Sequence, residues 1–356
     1  MSKILVINPG STSTKIAVYD NHELLVEETL RHKPEDLIGF ETITDQYEFR
    51  EKIVLDVLKT HGIQVAELDA VVGRGGLVHP LEGGCYRVNT RMIQDLKAMI
   101  MGEHASNLGA LIAKAIGDSI GKPAFIVDPV VVDELEPLAR YSGHPKLQRI
   151  SIFHALNQKA VAHRVAQELN KPYTACNLIV VHLGGGISVG AHKHGKVVDV
   201  NNALDGDGPF SPERSGGLPV GQLVTLCFSA QYTEAEIKKM MKGQGGLVAY
   251  IGTNDGRETV KRIKAGNLQA REVFEAMAYQ VAKEIGAMAA VLHGSVDAIV
   301  LTGGLAYNQI FVEWITQRVQ FIAPVKVVPG EDEMVALNEG ALRVLTGEEE
   351  AKEYQG

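Results

Sequence analysis

Two turns rich in glycine and hydroxyl residues, about half a chain apart, constrain this sequence more than any other feature. Each is entered from an apolar run that ends in a polar side chain. The first reads Ile4-Leu5-Val6-Ile7-Asn8-Pro9-Gly10-Ser11-Thr12-Ser13-Thr14-Lys15, and the second Ile179-Val180-Val181-His182-Leu183-Gly184-Gly185-Gly186-Ile187-Ser188. Asn8 and His182 hold matching places. A second strand-like run follows each turn, Ile16–Asp20 after the first and Val189–His192 after the second. Both therefore read as strand, turn, strand. Such turns aim backbone N–H groups and hydroxyls at a phosphate. Their repetition implies an internal duplication, hence two similar domains that would grip a polyphosphate between them. The bland alternative is two ordinary glycine-rich hairpins.

Other nucleotide motifs fail on context. A P-loop needs GxxxxGK[ST] opening a helix, and neither turn has it. Gly184-Gly185-Gly186 resembles half a dinucleotide fingerprint, but that fingerprint opens a helix and this segment continues as a hairpin. A chain of 356 residues suits two domains better than one. A net charge of −8 argues against a general nucleic-acid binder. Cys85, Cys176 and Cys227 are widely spaced, which fits a reducing cytoplasm and no disulfide framework. Met-Ser-Lys runs straight into a strand, so no signal peptide is expected. No apolar run approaches the roughly 20 residues of a membrane span.

Strands alternate with helices along the rest of the chain. Strands are expected at 3–8, 14–20, 23–30, 68–73, 124–128, 178–183, 298–302 and 325–328. Helices are expected at 46–61, 103–117, 150–169, 270–292, 309–322 and 333–345. This pattern means α/β. The division expected is an N-terminal domain at 1–172 and a C-terminal domain at 173–332. The closing helix and tail, 333–356, should pack back toward the N-terminal domain, with the acidic end from Gly347 frayed.

Several side chains stand where chemistry needs them. Arg74 sits where a strand gives way to Gly75-Gly76, and Arg214 lies in the stiff loop Pro209–Gly217. A guanidinium beside glycines suits bidentate binding of a carboxylate or phosphate. Asp128 ends a strand before Pro129, where an extended backbone would point its carboxylate into a crevice. His182 directly precedes the triple glycine, and Phe153-His154 opens a helix. Lys15 either neutralises a phosphate or faces solvent. Glu331-Asp332-Glu333 precedes the last helix, as the macrodipole alone would favour, yet such carboxylates also suit Mg²⁺. Gly303-Gly304 allows close backbone approach by a ligand.

Taken together, these residues resemble the acetokinase family, within the acetate and sugar kinase, Hsc70 and actin superfamily. The resemblance runs from residue 3 to about 345. It implies two duplicated ribonuclease-H-like (actin-like ATPase) domains with ATP between them. It implies phosphorylation by ATP of the carboxylate of a short-chain fatty acid, butyrate first, with Mg²⁺ present and a homo-oligomer as the assembly. It assigns Arg74 and Arg214 to the carboxylate and the transferring phosphoryl group, with Asp128 as the acidic residue of the site. His182 is assigned to the phosphoryl group, and His154 with Phe153 to the acyl pocket. Asn8, Gly10, Ser11, Ser13 and Lys15 are assigned to the first phosphate turn, and Gly184, Gly185 and Gly186 to the second. Gly303 and Gly304 fall to the adenosine turn, and Glu333 with Asn8 to the metal. Acetate kinases usually carry two valines where Gly75 and Gly76 stand. That departure implies an acyl pocket enlarged for a longer chain, with Gly76→Val expected to favour shorter acids. A branched or shorter acid remains an alternative substrate, and an actin-like ATPase or a nucleotide sensor without an acid substrate remains an alternative class.

Overall fold

The structure, a computed structural model, describes residues 2–356. The chain begins with β1 (Lys3–Pro9), β2 (Ser13–Asp20), β3 (Glu23–Arg31), α1 (Pro34–Leu37), α2 (Tyr47–Thr60), β4 (Ala70–Arg74), β5 (Cys85–Arg87), α3 (Thr90–Lys97), α4 (Asn107–Ile120) and β6 (Ala124–Val127). It continues with α5 (Ala155–Glu168), β7 (Asn177–Leu183), β8 (Ile187–Lys193), β9 (Lys196–Val200), α6 (Val220–Cys227), α7 (Glu234–Met241), α8 (Gly246–Ile251), α9 (Gly256–Lys264), α10 (Leu268–Val291), β10 (Ala298–Gly303), α11 (Gln309–Val319) and β11 (Val325–Pro329). It ends with α12 (Glu333–Leu345) and β12 (Lys352–Glu353).

The strands form two sheets, ordered β12-β5-β6-β4-β1-β2-β3 and β11-β10-β7-β8-β9. Without the outer β12 and β5, the two orders are the same. In each, an antiparallel meander of three strands comes first. A fourth strand then joins the first in parallel, and a fifth joins the fourth. The duplication inferred from the two turns is thus present as repeated topology. The central strands β4, β7 and β10 are apolar on both faces and almost wholly buried, as parallel strands covered on two sides must be.

Contacts divide the chain into two compact units, Met1–Val132 with Asp332–Gly356, and Asp133–Glu331. The segment 133–172, assigned on sequence to the first domain, lies in the second unit. Its helix α5 packs on β7 and β10, and Val161, Val165 and Tyr173 share a buried cluster with Leu178, Val180 and Val300. Conversely α12 packs on β1, β4 and β6. Chain order conceals this exchange, because a helix next to its own strands in sequence is free to pack on another sheet.

Two other expectations change. Helices α4 and α5 begin at Asn107 and Ala155, later than the periodicity indicated. His104 Nδ1 accepts from the Ser106 backbone, 3.2 Å away, turning the chain before α4. The tail is not frayed: β12 pairs in parallel with β5, and buried Tyr354 donates its hydroxyl to Asp95, 2.9 Å away. In α10 the buried stripe is Phe274, Met277, Val281 and Ile285, where Phe274 stacks on Phe311 of α11 at 4.8 Å. Strands β5 and β12 are too short to leave a periodic signal.

Helix α4 lies so close to β4 that a Cβ on Gly73 would overlap the Gly109 carbonyl, while one on Gly109 would overlap Arg74. This places the end of β4, and Arg74 with it. Gly73→Ala should therefore lower unfolding free energy by about 1–3 kcal/mol, the usual cost of overpacking. Urea denaturation would read this directly, and an unchanged midpoint would show that α4 can retreat without cost.

Candidate active site

In the first unit, three element ends meet. Asn8 is the penultimate residue of β1, Arg74 closes β4 and Glu333 opens α12. Glu333 Oε2 accepts from Asn8 Nδ2 at 2.6 Å and from Arg74 Nη1 at 2.9 Å. Roughly a third of the Arg74 and Glu333 side chains remains exposed, 38% and 30%. An ion pair this open is worth ~1 kcal/mol or less, so a more highly charged anion can draw the guanidinium away cheaply. The turn beside it is closed by a Gly10 N–H to Ser13 carbonyl bond of 2.7 Å. Ser11 and Thr12 stand exposed at its tip.

Other candidates of this unit have different neighbours. Lys15 pairs with Glu27 across the β2–β3 face at 2.8 Å, so a phosphate role would require that pair to open. Asp128 is not extended: its φ is +38°. Its buried carboxylate accepts the Gly84 N–H at 2.7 Å, and its own N–H bonds the Gly84 carbonyl at 3.1 Å. That double bond to one glycine holds the strained conformation. The enlarged-pocket reading of Gly75 and Gly76 is corrected. A Cβ on Gly75 would lie 2.6 Å from Pro129 Cβ, and one on Gly76 2.6 Å from Asn107 Cα. The space freed by the missing side chains is filled by Pro129 and by the start of α4.

In the second unit, His182 is the penultimate residue of β7. Its Nδ1 is 2.8 Å from Asn157 Oδ1, and Asn157 Nδ2 donates to the Gly330 carbonyl at 3.4 Å. The amide oxygen can only accept, so His182 Nδ1 carries a proton. Nε2 faces Glu331 Oε1 at 3.3 Å. The His154 ring stacks on His182, with centroids 3.7 Å apart and planes 8° from parallel. A polar chain runs behind His154. Gln158 Nε2 donates to the Ser188 carbonyl at 3.0 Å and to Ser188 Oγ at 2.8 Å, which fixes its amide orientation. Gln158 Oε1 therefore accepts from His192 Nε2 at 2.9 Å. Burial holds His192 far below its ordinary pKa, so it is neutral and its Nδ1 accepts the Tyr173 hydroxyl at 2.7 Å. Ser188 Oγ is left to give its own proton to His154 Nδ1, 2.9 Å away. Phe153, assigned to the acyl pocket, is 2% exposed and belongs to the interior.

The three glycines of the second turn each face something different. A Cβ on Gly184 would sit 2.7 Å from both His182 Nε2 and Glu331 Oε1. Gly185 is the exposed tip. A Cβ on Gly186 would overlap the Arg214 guanidinium. Arg214 Nη1 donates to the Ala203 carbonyl at 2.6 Å, and its backbone N–H to Ser211 Oγ at 3.1 Å. Its buried Nε has no hydrogen-bond partner among the described residues, and burial pushes its pKa down. A buried charged donor without an acceptor is costly until an anion arrives. Next to the turn lies a cavity of about 820 Å³. Gly184, Gly185, Gly304, Leu305, Ile310 and Glu331 line one part, and Arg257, Val260 and Lys264 of α9 another. Gly303, at φ +89°, packs on the Leu183 backbone and exchanges two hydrogen bonds with Gly330.

The acidic run before α12 divides its work. Glu331 faces His182 and accepts from the Gly304 N–H at 3.3 Å. Asp332 caps α12 at the Val335 N–H, 3.1 Å away, and Glu333 holds Arg74 and Asn8. Sequence reasoning flagged the run Glu331–Glu333 and took Glu333 from it, gave Glu331 no contact with His182, and missed Asn157 and Gln158. The acidic run was the one signal for Glu331, and nothing in sequence marked the two amides. The α9 wall was also missed, since no helix was expected at 256–264. Among the described residues no group of three or more His, Cys, Asp or Glu side chains could hold a metal.

Residues 144–338 match the acetokinase family. The chain is 58% identical over 353 residues to butyrate kinase 2 of Clostridium acetobutylicum, covering 99% of each. Its fold is similar to that of an acetate kinase from Porphyromonas gingivalis, with TM-score 0.80 and 22% identity over 96% of this chain and 99% of that one. It is likewise similar to a propionate kinase from Francisella tularensis, with TM-score 0.73 and 20% identity over 95% and 99%. The expected fold class, duplicated actin-like ATPase domains, agrees with these likenesses.

Gly186→Ala would drive the Arg214 guanidinium from its place. Turnover should fall at least about a hundredfold, within reach of the loss typical of a displaced arginine in phosphoryl transfer. Steady-state rates with a thermal melt as control would measure it. A folded Gly186→Ala protein with near-normal turnover would show that Arg214 does not need that space.

Proposed function

We propose that this chain, which belongs to the acetokinase family, phosphorylates the carboxylate of butyrate with ATP, giving butyryl phosphate and ADP. The observation that carries the choice of acid is the 58% identity to a butyrate kinase over 99% of both chains. The geometry supports the chemistry. Each unit holds an arginine beside a phosphate-type turn, one in an exposed and exchangeable ion pair, the other with an orphaned buried N–H.

The carboxylate is already an anion and a nucleophile, so no general base is required. One carboxylate oxygen attacks the γ-phosphorus, and the bond from phosphorus to the β–γ bridging oxygen breaks. ADP leaves with that electron pair, and no proton is transferred. Two anions must approach each other, so catalysis rests on positioning and on charge. Arg74 releases Glu333 and binds the incoming anion, while Arg214 offers its unpartnered Nε to the transferring phosphoryl group. His182, with its Nδ1 proton fixed by Asn157, keeps Nε2 and Glu331 at the mouth of the second turn. His154 is held in one tautomer by Ser188 and packs against its face. The cavity beside Gly304 takes the nucleoside, its apolar wall built from Val260, Leu305 and Ile310.

Mg²⁺ suits the donors present. Glu333 contributes one carboxylate and Asn8 one amide oxygen, and this cation is commonly held by one or two carboxylates together with phosphates and retained water. Bound there, it would offset phosphate charge. The reading takes the enzyme as cytoplasmic, where free cysteines and ATP coexist. No helix among the described residues is long and apolar enough to cross a membrane.

Hydroxylamine trapping of acyl phosphate with ATP, Mg²⁺ and acids from acetate to valerate, including isobutyrate, tests the proposal. Product should peak at four carbons. A peak at acetate would keep the family and remove butyrate, and no product with any acid would remove acid phosphorylation. Arg74→Ala and Arg214→Ala should each cost at least about a hundredfold in turnover, given the ~10³–10⁵ attributed to such arginines. Either variant retaining normal turnover would strip that residue of its role.

A further inference from the structure

Arg50 lies on α2 and is fully buried, at 0% exposure. It makes six hydrogen bonds, all to neutral acceptors. Nη1 donates to the Gly10 carbonyl at 2.7 Å, to the Ser13 carbonyl at 3.0 Å and to Thr14 Oγ1 at 3.2 Å. Nη2 donates to the Ser11 carbonyl at 2.9 Å and to Gln46 Oε1 at 2.7 Å, and Nε to the same Gln46 oxygen at 3.1 Å. The remaining carbonyl of the turn, that of Thr12, accepts the His32 N–H at 2.9 Å. Every carbonyl from Gly10 to Ser13 is therefore tied, three of them to Arg50.

Peptide planarity gives this a consequence. In a trans peptide the C=O and the following N–H point in opposite directions. With the carbonyls of Gly10 and Ser11 held toward Arg50, the N–H groups of Ser11 and Thr12 point away from it. Successive outward N–H groups in a turn make an anion-binding concavity.

The guanidinium adds charge as well as shape. A buried ion is normally paired with an opposite charge, yet no carboxylate pairs with Arg50 among the described residues. Carbonyl dipoles solvate the cation without cancelling it, so a full positive charge stays behind the turn. Burial pushes its pKa down to about 10, still far above neutrality. Burial first, and then Arg50, push His32 down to about 4, so that neighbour is neutral at pH 7. Thr14 Oγ1 accepts from Arg50 at 3.2 Å and is hydrogen-bonded to His32 Nε2, 2.9 Å away. In the second turn the nearby guanidinium, that of Arg214, bonds the Ala203 carbonyl and none of the turn's own. There Ser211 Oγ, a neutral hydroxyl, ties the Gly185 carbonyl at 2.6 Å.

We propose that Arg50 is a positioning residue for nucleotide phosphate. It turns the Gly10–Ser13 backbone so that its N–H groups face the ligand, and it supplies an uncancelled positive charge from behind, without touching the nucleotide. This rests on the kinase reading above and assigns the first turn's anion affinity to a side chain outside the turn.

The test separates nucleotide affinity from acid affinity and from stability. Arg50→Met, Arg50→Lys and Gln46→Met would be compared with the unsubstituted protein. Calorimetric Kd for Mg-ATP would be measured with no acid present, alongside KM for ATP, KM for butyrate and the thermal midpoint. Arg50→Met should raise Kd and KM for ATP at least about tenfold, since charge-assisted contacts are the strong ones, with KM for butyrate within about twofold. Arg50→Lys, which keeps the charge but not the fork, should recover part of the loss. Gln46→Met, which loosens the guanidinium and leaves it charged, should weaken ATP less than Arg50→Met does. ATP affinity unmoved in a folded Arg50→Met protein would overturn the proposal. If that variant does not fold, unchanged ATP Kd in both Arg50→Lys and Gln46→Met would overturn it equally. An equal rise in both KM values would make Arg50 a general scaffold residue and also overturn it. Because Kd is read without acid, a protein that makes no acyl phosphate could still show the Arg50 effect, so the two readings fail separately.

Discussion

A turn that receives an anion must keep its carbonyl oxygens away from it, and much of both units is arranged around that constraint. In the first turn the carbonyls of Gly10, Ser11 and Ser13 go to Arg50, and that of Thr12 to the His32 backbone. In the second, the Gly185 carbonyl goes to Ser211, and that of Gly186 to the Gly184 N–H at 3.1 Å. Backbone polar groups must be paired somewhere. Where the partner lies behind the turn, as Arg50 and Ser211 do, the turn's own N–H groups are not spent on those carbonyls. Helix α2 and the loop carrying Arg214 thus serve the turns as directly as the strands do.

Glycine in this chain is mostly a matter of space taken by a neighbour. Gly186 is bare because the Arg214 guanidinium lies there, and Gly184 because His182 and Glu331 lie there. Gly73 and Gly109 are bare so that α4 can lie on β4, and Gly75 and Gly76 because Pro129 and Asn107 press on them. The same residue type therefore makes room for polar side chains in one place and for close backbone packing in another. Reading Gly75-Gly76 as empty volume overlooked the second.

The second unit shows how a buried polar chain constrains a ring. Tyr173, His192, Gln158 and Ser188 hand one direction of hydrogen bonding toward His154. Each member has its partner, so the chain stiffens the site rather than straining it. The buried pair Lys159–Glu134, at 2.9 Å, lies beside it under the same sheet.

Local pattern determined a good deal by itself. The apolar runs before Asn8 and His182, the turns after them and the helical periods of α10 and α12 are short-range signals, and they sufficed for duplicated α/β units. They also marked Arg74, His182, Asn8 and Glu333 as residues near strand or helix ends, and Arg214 as part of a stiff loop. Tertiary structure alone decided which sheet α5 packs on, that the tail pairs with β5, and that Asp128 bonds Gly84. It alone brought Glu331, Asn157 and Gln158 to the histidines, and Arg50 beneath a turn about 40 residues away in the chain. The physical reason is that burial, carbonyl pairing and the space beside a glycine depend on neighbours distant in sequence, and a periodic pattern holds no record of them.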